Sequence, residues 1–314
     1  MPDPLGRNPY VLRPGTYQGL GPATFHINQL GFRGAEMSRG KGERFRIVVL
    51  GESTTFEVTL LDEDRPWPER LEARIADELA CDRAVEVVNA GVPGWTLSNQ
   101  VMRFSDDITP LRPDLVLSYH GFNGFHFFFA GLPEVTVRGS KPRGSRILER
   151  VEATLRTLRL RQRYRALPEI DASVPSRDLL VTAYADWYRR LVDAARAAGA
   201  EVALCTFNLA VTADSPEEAI RLHEWFVPDL RARMLANRLH SRLVRELGEA
   251  LRVTTIDTSR ELDGAYRDAY VDAAHFNRVG SQRMAANVFD GLRDLLRDHP
   301  RLRCRAREAA APDS

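Results

Sequence analysis

Short, unbroken apolar runs recur along this chain, and longer stretches with apolar residues at helical spacing separate them. Ile47 to Leu50 is continuously apolar and largely β-branched, the pattern of a strand covered on both faces in a parallel sheet. Val85 to Val88, Asp114 to Tyr119, Glu201 to Phe207 and Arg252 to Asp257 read as four further strands. Between the first two, Pro66-Trp67-Pro68 opens a helix, since proline is tolerated in a first helical turn. Leu71, Ile75 and Leu79 then fall at i, i+4 and i+8, on one face. Helices are predicted over Leu97 to Ile108 and over Leu179 to Ala198, the latter closed by Gly199. Another covers Pro216 to Leu251, interrupted at Pro228, and a last runs from about Asn277 to Asp298. Strands alternating with helices predict a three-layer α/β/α sandwich around a parallel sheet of about five strands.

Three stretches stand outside this rhythm. Residues 1–44 are rich in Gly, Pro and Asn and are too few for a core of their own. They read as an arm packed on the main domain of 45–298, with short strands at Tyr10 to Leu12 and Thr24 to Ile27. Residues 125–175 form an insertion. It begins with the aromatic cluster His126-Phe127-Phe128-Phe129 and continues into an amphipathic, arginine-rich helix over Arg146 to Leu167. That helix reads either as a cover on the sheet with a solvated basic face or as a lid over a pocket. The charged tail, 299–314, is expected to fray after Pro300.

Composition narrows the class. The chain has 314 residues, 44% hydrophobic and 28% charged, with a net charge of +1. That is ordinary for a globular protein and gives no reason to expect a nucleic-acid partner. Lysine occurs only at 41 and 141, which reads as genomic bias rather than function. The three cysteines, Cys81, Cys205 and Cys304, have no metal spacing and are odd in number. A reduced compartment is therefore expected instead of a disulfide framework. With no signal-peptide pattern at the start and no apolar run of membrane-spanning length, a cytoplasmic location is expected. Neither Gly-x-Gly-x-x-Gly nor a phosphate-loop lysine follows the first strand, so no nucleotide cofactor is expected.

The ends of the predicted strands carry the chemistry. Ser53 follows the first strand and Gly51, at the edge of the sheet where open α/β folds place ligands. A serine hydroxyl is a weak nucleophile until a base takes its proton. His275 is a candidate base, because imidazole titrates near neutrality. Asp272, three residues earlier, is placed to orient it. Attack on an ester builds negative charge on the carbonyl oxygen. The N–H groups of Ser53 and Gly94 and the side-chain amide of Asn123 are candidate donors to it. Each residue taken singly has a plainer reading: Ser53 as a cap, Asp272 and Asn123 as turn formers, His275 as a surface side chain, Gly94 as a turn glycine.

Their order along the chain resembles the SGNH, or GDSL-like, hydrolases, over about residues 44–295. Gly51-Glu52-Ser53 stands where that family has Gly-Asp-Ser. Gly94 in Asn89-Ala90-Gly91-Val92-Pro93-Gly94 matches its oxyanion-hole glycine, and Asn123 in Gly121-Phe122-Asn123-Gly124 its oxyanion-hole asparagine. Asp272 and His275 match the Asp-x-x-His block. Asn28-x-x-Gly31-x-Arg33 looks like an element that precedes the serine in some bacterial members. The resemblance implies a flavodoxin-like fold and a metal-independent serine esterase or acyl hydrolase with no cofactor. Its partner would be a small ester or acylated molecule. Glu52 in place of Asp and Gly124 in place of the Asp that often follows the asparagine are departures. Phe122 and Phe125 are expected to wall a substrate pocket. An acyltransferase using the same residues remains open, as does a binding protein on a decayed hydrolase fold.

Overall fold

The computed structural model describes residues 10–18, 24–60, 64–128 and 178–306, together with Asp3, Gly6 and Asn8. An antiparallel ribbon, β1 (Gly15–Gln18) and β2 (Thr24–Ile27), comes first. The strand expected at Tyr10 to Leu12 is not formed; the pairing falls on β1 instead, in register with Thr24 to Ile27. Strand β3 (Phe45–Gly51) follows and is buried over its whole length. Short α1 (Ser53–Phe56), α2 (Trp67–Glu78) and the two-residue β4 (Leu79–Ala80) lead to β5 (Val85–Gly91). Then come α3 (Leu97–Met102), β6 (Leu115–Tyr119), α4 (Ala183–Ala197) and β7 (Glu201–Cys205). The chain continues through α5 (Glu217–Phe226), α6 (Leu230–Leu251), β8 (Thr254–Ile256) and α7 (Arg278–Asp298).

The central sheet has five strands in the order β5-β3-β6-β7-β8, all parallel. Helices α2 and α7 pack together as one layer, and α3, α4 and α6 as the other. This is the predicted three-layer sandwich. Coverage on both faces explains the continuous apolar run of β3, since no residue of a doubly covered strand reaches water. Parallel pairing also puts the carboxyl ends of β3, β5 and β6 side by side, with Gly51 opposite both Gly91 and Tyr119.

Two elements depart from their predicted extent. The helix expected through Ile108 stops at Met102, and the chain continues as a wider π-type turn over Phe104–Ile108. There the Arg103 guanidinium folds onto Asp107, at 2.6 and 2.7 Å, and also pairs with Asp3 of the N-terminal arm. Pro228 falls between α5 and α6, where the missing N–H costs no helical hydrogen bond.

The expected fraying of the tail is corrected as far as Ala306. Leu302 is fully buried, and Arg301 Nη1 lies 2.7 Å from Asp114 Oδ1. Strand β9 (Arg305–Ala306) pairs antiparallel with β4. Cys304 is bonded to Cys81, while Cys205 is a free, buried thiol. The expectation of reduced cysteines is thereby corrected: the partners are 223 residues apart in sequence, a separation with no local spacing signal. Among the described residues no helix is long and apolar enough to cross a membrane. Beyond Phe128 the insertion expected over 125–175 lies outside the described residues, as do 307–314.

Candidate active site

Ser53 sits where β3 turns into α1, and that four-residue helix is held from several sides. Asn89 Nδ2 donates to Thr55 O at 3.0 Å, and the Arg33 guanidinium donates to the carbonyls of Phe56, Glu57 and Leu60. A helix this short has no intrahelical partners for its last carbonyls. Arg33, brought in by the N-terminal arm, supplies them. Asn28 shapes the arm's turn, its Oδ1 accepting from Leu30 N at 3.0 Å and Phe32 N at 3.1 Å.

His275 arrives from a loop between β8 and α7. That loop is closed by Val271 N donating to His275 O at 2.9 Å and Asn277 N to Ala269 O at 3.0 Å. Asn277 also caps α7, its Oδ1 accepting from Val279 N at 2.8 Å and Gly280 N at 3.1 Å. Thr59 Oγ1 donates to Phe276 O at 2.9 Å, joining this loop to the segment after Ser53.

The structure brings Ser53, His275 and Asp272 into one line. His275 Nε2 is 2.8 Å from Ser53 Oγ, and His275 Nδ1 is 2.7 Å from Asp272 Oδ2. A carboxylate only accepts, so Nδ1 carries the hydrogen and Nε2 turns a lone pair to the Ser53 hydroxyl. Asp272 Oδ1 accepts from the N–H of His275 at 2.8 Å and of Ala274 at 2.9 Å. Burial alone would raise the Asp272 carboxyl. The His275 hydrogen bond and charge and these two N–H groups outweigh it and hold Asp272 below the usual carboxylate range. Ser53 and His275 are half-buried and reachable from solvent.

Gly94 and Asn123 stand at the neighbouring strand ends. Gly94 has φ +76°, a conformation that favours glycine. Its turn is anchored by Val92 N donating to Gly51 O at 3.0 Å. Asn123 Nδ2 donates to Trp95 O at 2.8 Å, which fixes the amide plane and leaves its second N–H for another acceptor. Gly124, noted above as a departure from the resembled motif, has no room for a side chain: a Cβ there would lie 2.5 Å from the Tyr184 hydroxyl oxygen. Phe122 is half-buried. Phe125 is corrected. It is 0% exposed, packed between Phe207 and His240, and belongs to the core rather than to a pocket wall. The tight 3₁₀ turn over Phe122–Phe127 rolls it inward.

Sequence reasoning missed the groups that hold the Asn123 turn. Glu52 Oε1 accepts from Gly121 N and Oε2 from Asn123 N, each at 3.0 Å. Burial pushes the Glu52 carboxyl up to about 7, against the pull of those N–H groups and of the Arg233 and His275 charges. Arg233 Nη1 donates to Phe122 O at 2.9 Å and its guanidinium lies 4.2 Å from the Phe122 ring centre. Glu52 was visible only as a departure from a motif. Arg233 lies inside a long arginine-rich helix and carried no signal. Among the described residues no cluster of three or more His, Cys, Asp or Glu is arranged to hold a metal ion.

The GDSL-like Lipase/Acylhydrolase family matches residues 49–283. No curated protein sequence matches the chain. Among solved structures, that of TesA is similar at 18% identity and TM-score 0.48, covering 80% of this chain and 99% of its own. A putative lipolytic protein of the G-D-S-L family from Desulfitobacterium hafniense DCB-2 aligns at 15% identity and TM-score 0.48, covering 79% and 99%. A catalytic mutant of Axe2, an acetylxylan esterase from Geobacillus stearothermophilus, aligns at 13% identity and TM-score 0.49, covering 79% and 94%.

Proposed function

The chain belongs to the GDSL-like lipase/acylhydrolase family, and from that premise we propose that it cleaves a carboxylic ester through an acyl-enzyme on Ser53. The observation that carries this is the line from Ser53 Oγ through His275 Nε2 and Nδ1 to Asp272 Oδ2, at 2.8 and 2.7 Å. Ser53 Oγ attacks the ester carbonyl carbon while its proton passes to His275 Nε2. The carbonyl π-electrons move to oxygen, where the N–H groups of Ser53 and Gly94 and the free amide N–H of Asn123 receive the charge. The tetrahedral adduct collapses and the C–O bond to the alcohol breaks. His275 gives its proton to the leaving oxygen. Water then attacks the acyl-Ser53 ester, its proton again taken by His275, and the acid leaves as Ser53 regains its hydrogen. Asp272 stays ionised throughout and stabilises the imidazolium.

The substrate is a small ester or acylated molecule, and Phe122 is its candidate apolar contact. Transfer of the acyl group to a hydroxyl acceptor uses the same steps with an alcohol in place of water. The cytoplasmic location loses the support of unpaired cysteines, because disulfides persist mainly in oxidising compartments.

The test is turnover of p-nitrophenyl esters of graded chain length by the wild type and Ser53→Ala. The expected result is turnover that vanishes in the variant with its melting temperature retained. A variant as active as the wild type would sink the proposal. Adding alcohol acceptors to the same assay separates transfer from hydrolysis by product.

A further inference from the structure

We propose that Glu52 is a positioning residue for the reaction. Its carboxylate holds the Gly121–Asn123 turn so that the Asn123 amide faces the charge developing on the substrate, and the inference rests on the hydrolase reading above.

The geometry singles out this side chain. Glu52 immediately precedes Ser53 and is buried, 1% exposed. It spends both oxygens on backbone N–H groups of one turn, Gly121 and Asn123. The carbonyl between them, Phe122 O, is taken by Arg233, which is itself paired with Asp229 at 2.8 Å. The peptide group joining Phe122 to Asn123 is thus held at both ends, its carbonyl by a guanidinium and its N–H by a carboxylate. The side chain of Asn123 is then fixed by Trp95 O. Ser53 and Asn123 come from different strands, and Glu52 is the covalent neighbour of one and the hydrogen-bond partner of the other. It therefore sets the separation between nucleophile and amide donor, which the oxyanion requires to within a fraction of an ångström.

The charge state of Glu52 matters to this role. An ionised carboxylate accepts on both oxygens, whereas a protonated one turns an O–H donor toward a position filled by an N–H donor. The groups facing it are Arg233 from α6, His275 from the catalytic loop, and Tyr184 and Tyr188 from α4. Arg233 and His275 favour the ionised form, and burial opposes it. Titration through about 7 then makes the turn tighten as pH rises. The base must also be unprotonated to take the Ser53 proton. Activity on the acid side is consequently expected to rise more steeply than one proton allows.

The experiment is a double-mutant cycle of E52Q and N123A on the ester that the wild type turns over, with kcat, KM and pH profiles for each form. Removing one oxyanion donor costs about 100-fold in kcat. N123A is expected to lose that much, and E52Q about tenfold or more at little change in KM. The double variant should be no worse than N123A alone, because Glu52 acts through Asn123. The acid limb of E52Q should fall to a one-proton slope. Additive losses, or an E52Q profile as steep as the wild type's, would overturn the inference while leaving the hydrolase intact. Should E52Q not fold, the wild-type profile decides: a one-proton acid limb overturns the inference and a steeper one supports it. A wild type without serine-dependent turnover removes the hydrolase reading, and this inference with it.

Discussion

The Asp272 carboxylate takes hydrogen bonds from His275 Nδ1, His275 N and Ala274 N, so its place depends on its being an acceptor on both oxygens. Asn in its place presents an amide donor and favours the wrong imidazole tautomer. Asp272→Asn is expected to lower kcat by about 10,000-fold, measured on the same ester with circular dichroism showing an unchanged fold. Gly124 makes a different point. The motif that suggested Asn123 also suggested that an Asp had been lost beside it, and the neighbour explains the loss, because the Tyr184 hydroxyl fills the space a Cβ would need. Gly124→Ala should therefore destabilise the protein by about 1–3 kcal/mol, the usual cost of overpacking. Chemical denaturation measures it, and a neutral result would show that Tyr184 gives way freely.

At the scale of elements, α1 is too short to stand alone, and the N-terminal arm completes it. Arg33 is 3% exposed and donates to carbonyls of Phe56, Glu57 and Leu60. Arg33→Met removes these donors and leaves buried carbonyls without a partner, at about 2–3 kcal/mol for hydrogen bonds to a charged group. Because α1 carries Ser53, a drop in kcat should accompany the lower melting temperature. Loss of stability alone would confine Arg33 to the fold. The other end of the chain is tied down independently: β9 pairs with β4, and Cys304 is bonded to Cys81. Cys304→Ser is expected to cost about 2–4 kcal/mol of stability with kcat unchanged, since this tie lies at the end of α2 and not beside Ser53. Thermal melts with and without reductant give the same comparison on the wild type.

For the molecule as a whole, buried titratable groups set opposing pH trends. Burial raises Glu52 to about 7 and Glu57 to about 8, from 4.5 in the unfolded chain. The folded state then holds protons that the unfolded state has released, and stability falls as pH climbs from 4.5 through that range. Burial also lowers His120 and His240 to about 3 from 6.5, so they stay neutral while the unfolded chain binds protons, and stability falls as pH drops below 6.5. Melting temperature should peak between the two unfolded values, 4.5 and 6.5, and decline toward pH 8. A steady rise to pH 8 would contradict buried, protonated Glu52 and Glu57. The positioning role proposed for Glu52 calls for its ionised state, so activity is expected to climb where stability declines. Much of this molecule was legible in its residues. The alternation of apolar runs with helical periodicity determined the parallel sheet, because a strand covered on both faces can expose no polar side chain. Ser53, Asn123, Asp272 and His275 could be named as candidates from their residue types and their order along the chain. What the tertiary structure decided were pairings between residues far apart in sequence that carry no periodic signal. Cys81 with Cys304, Arg33 with α1, Arg233 with Phe122 and Glu52 with the Asn123 turn all depend on where folded elements meet. Phe125 went inward for that reason too: composition says that a phenylalanine is apolar, and only the packing around the 3₁₀ turn says which side it faces.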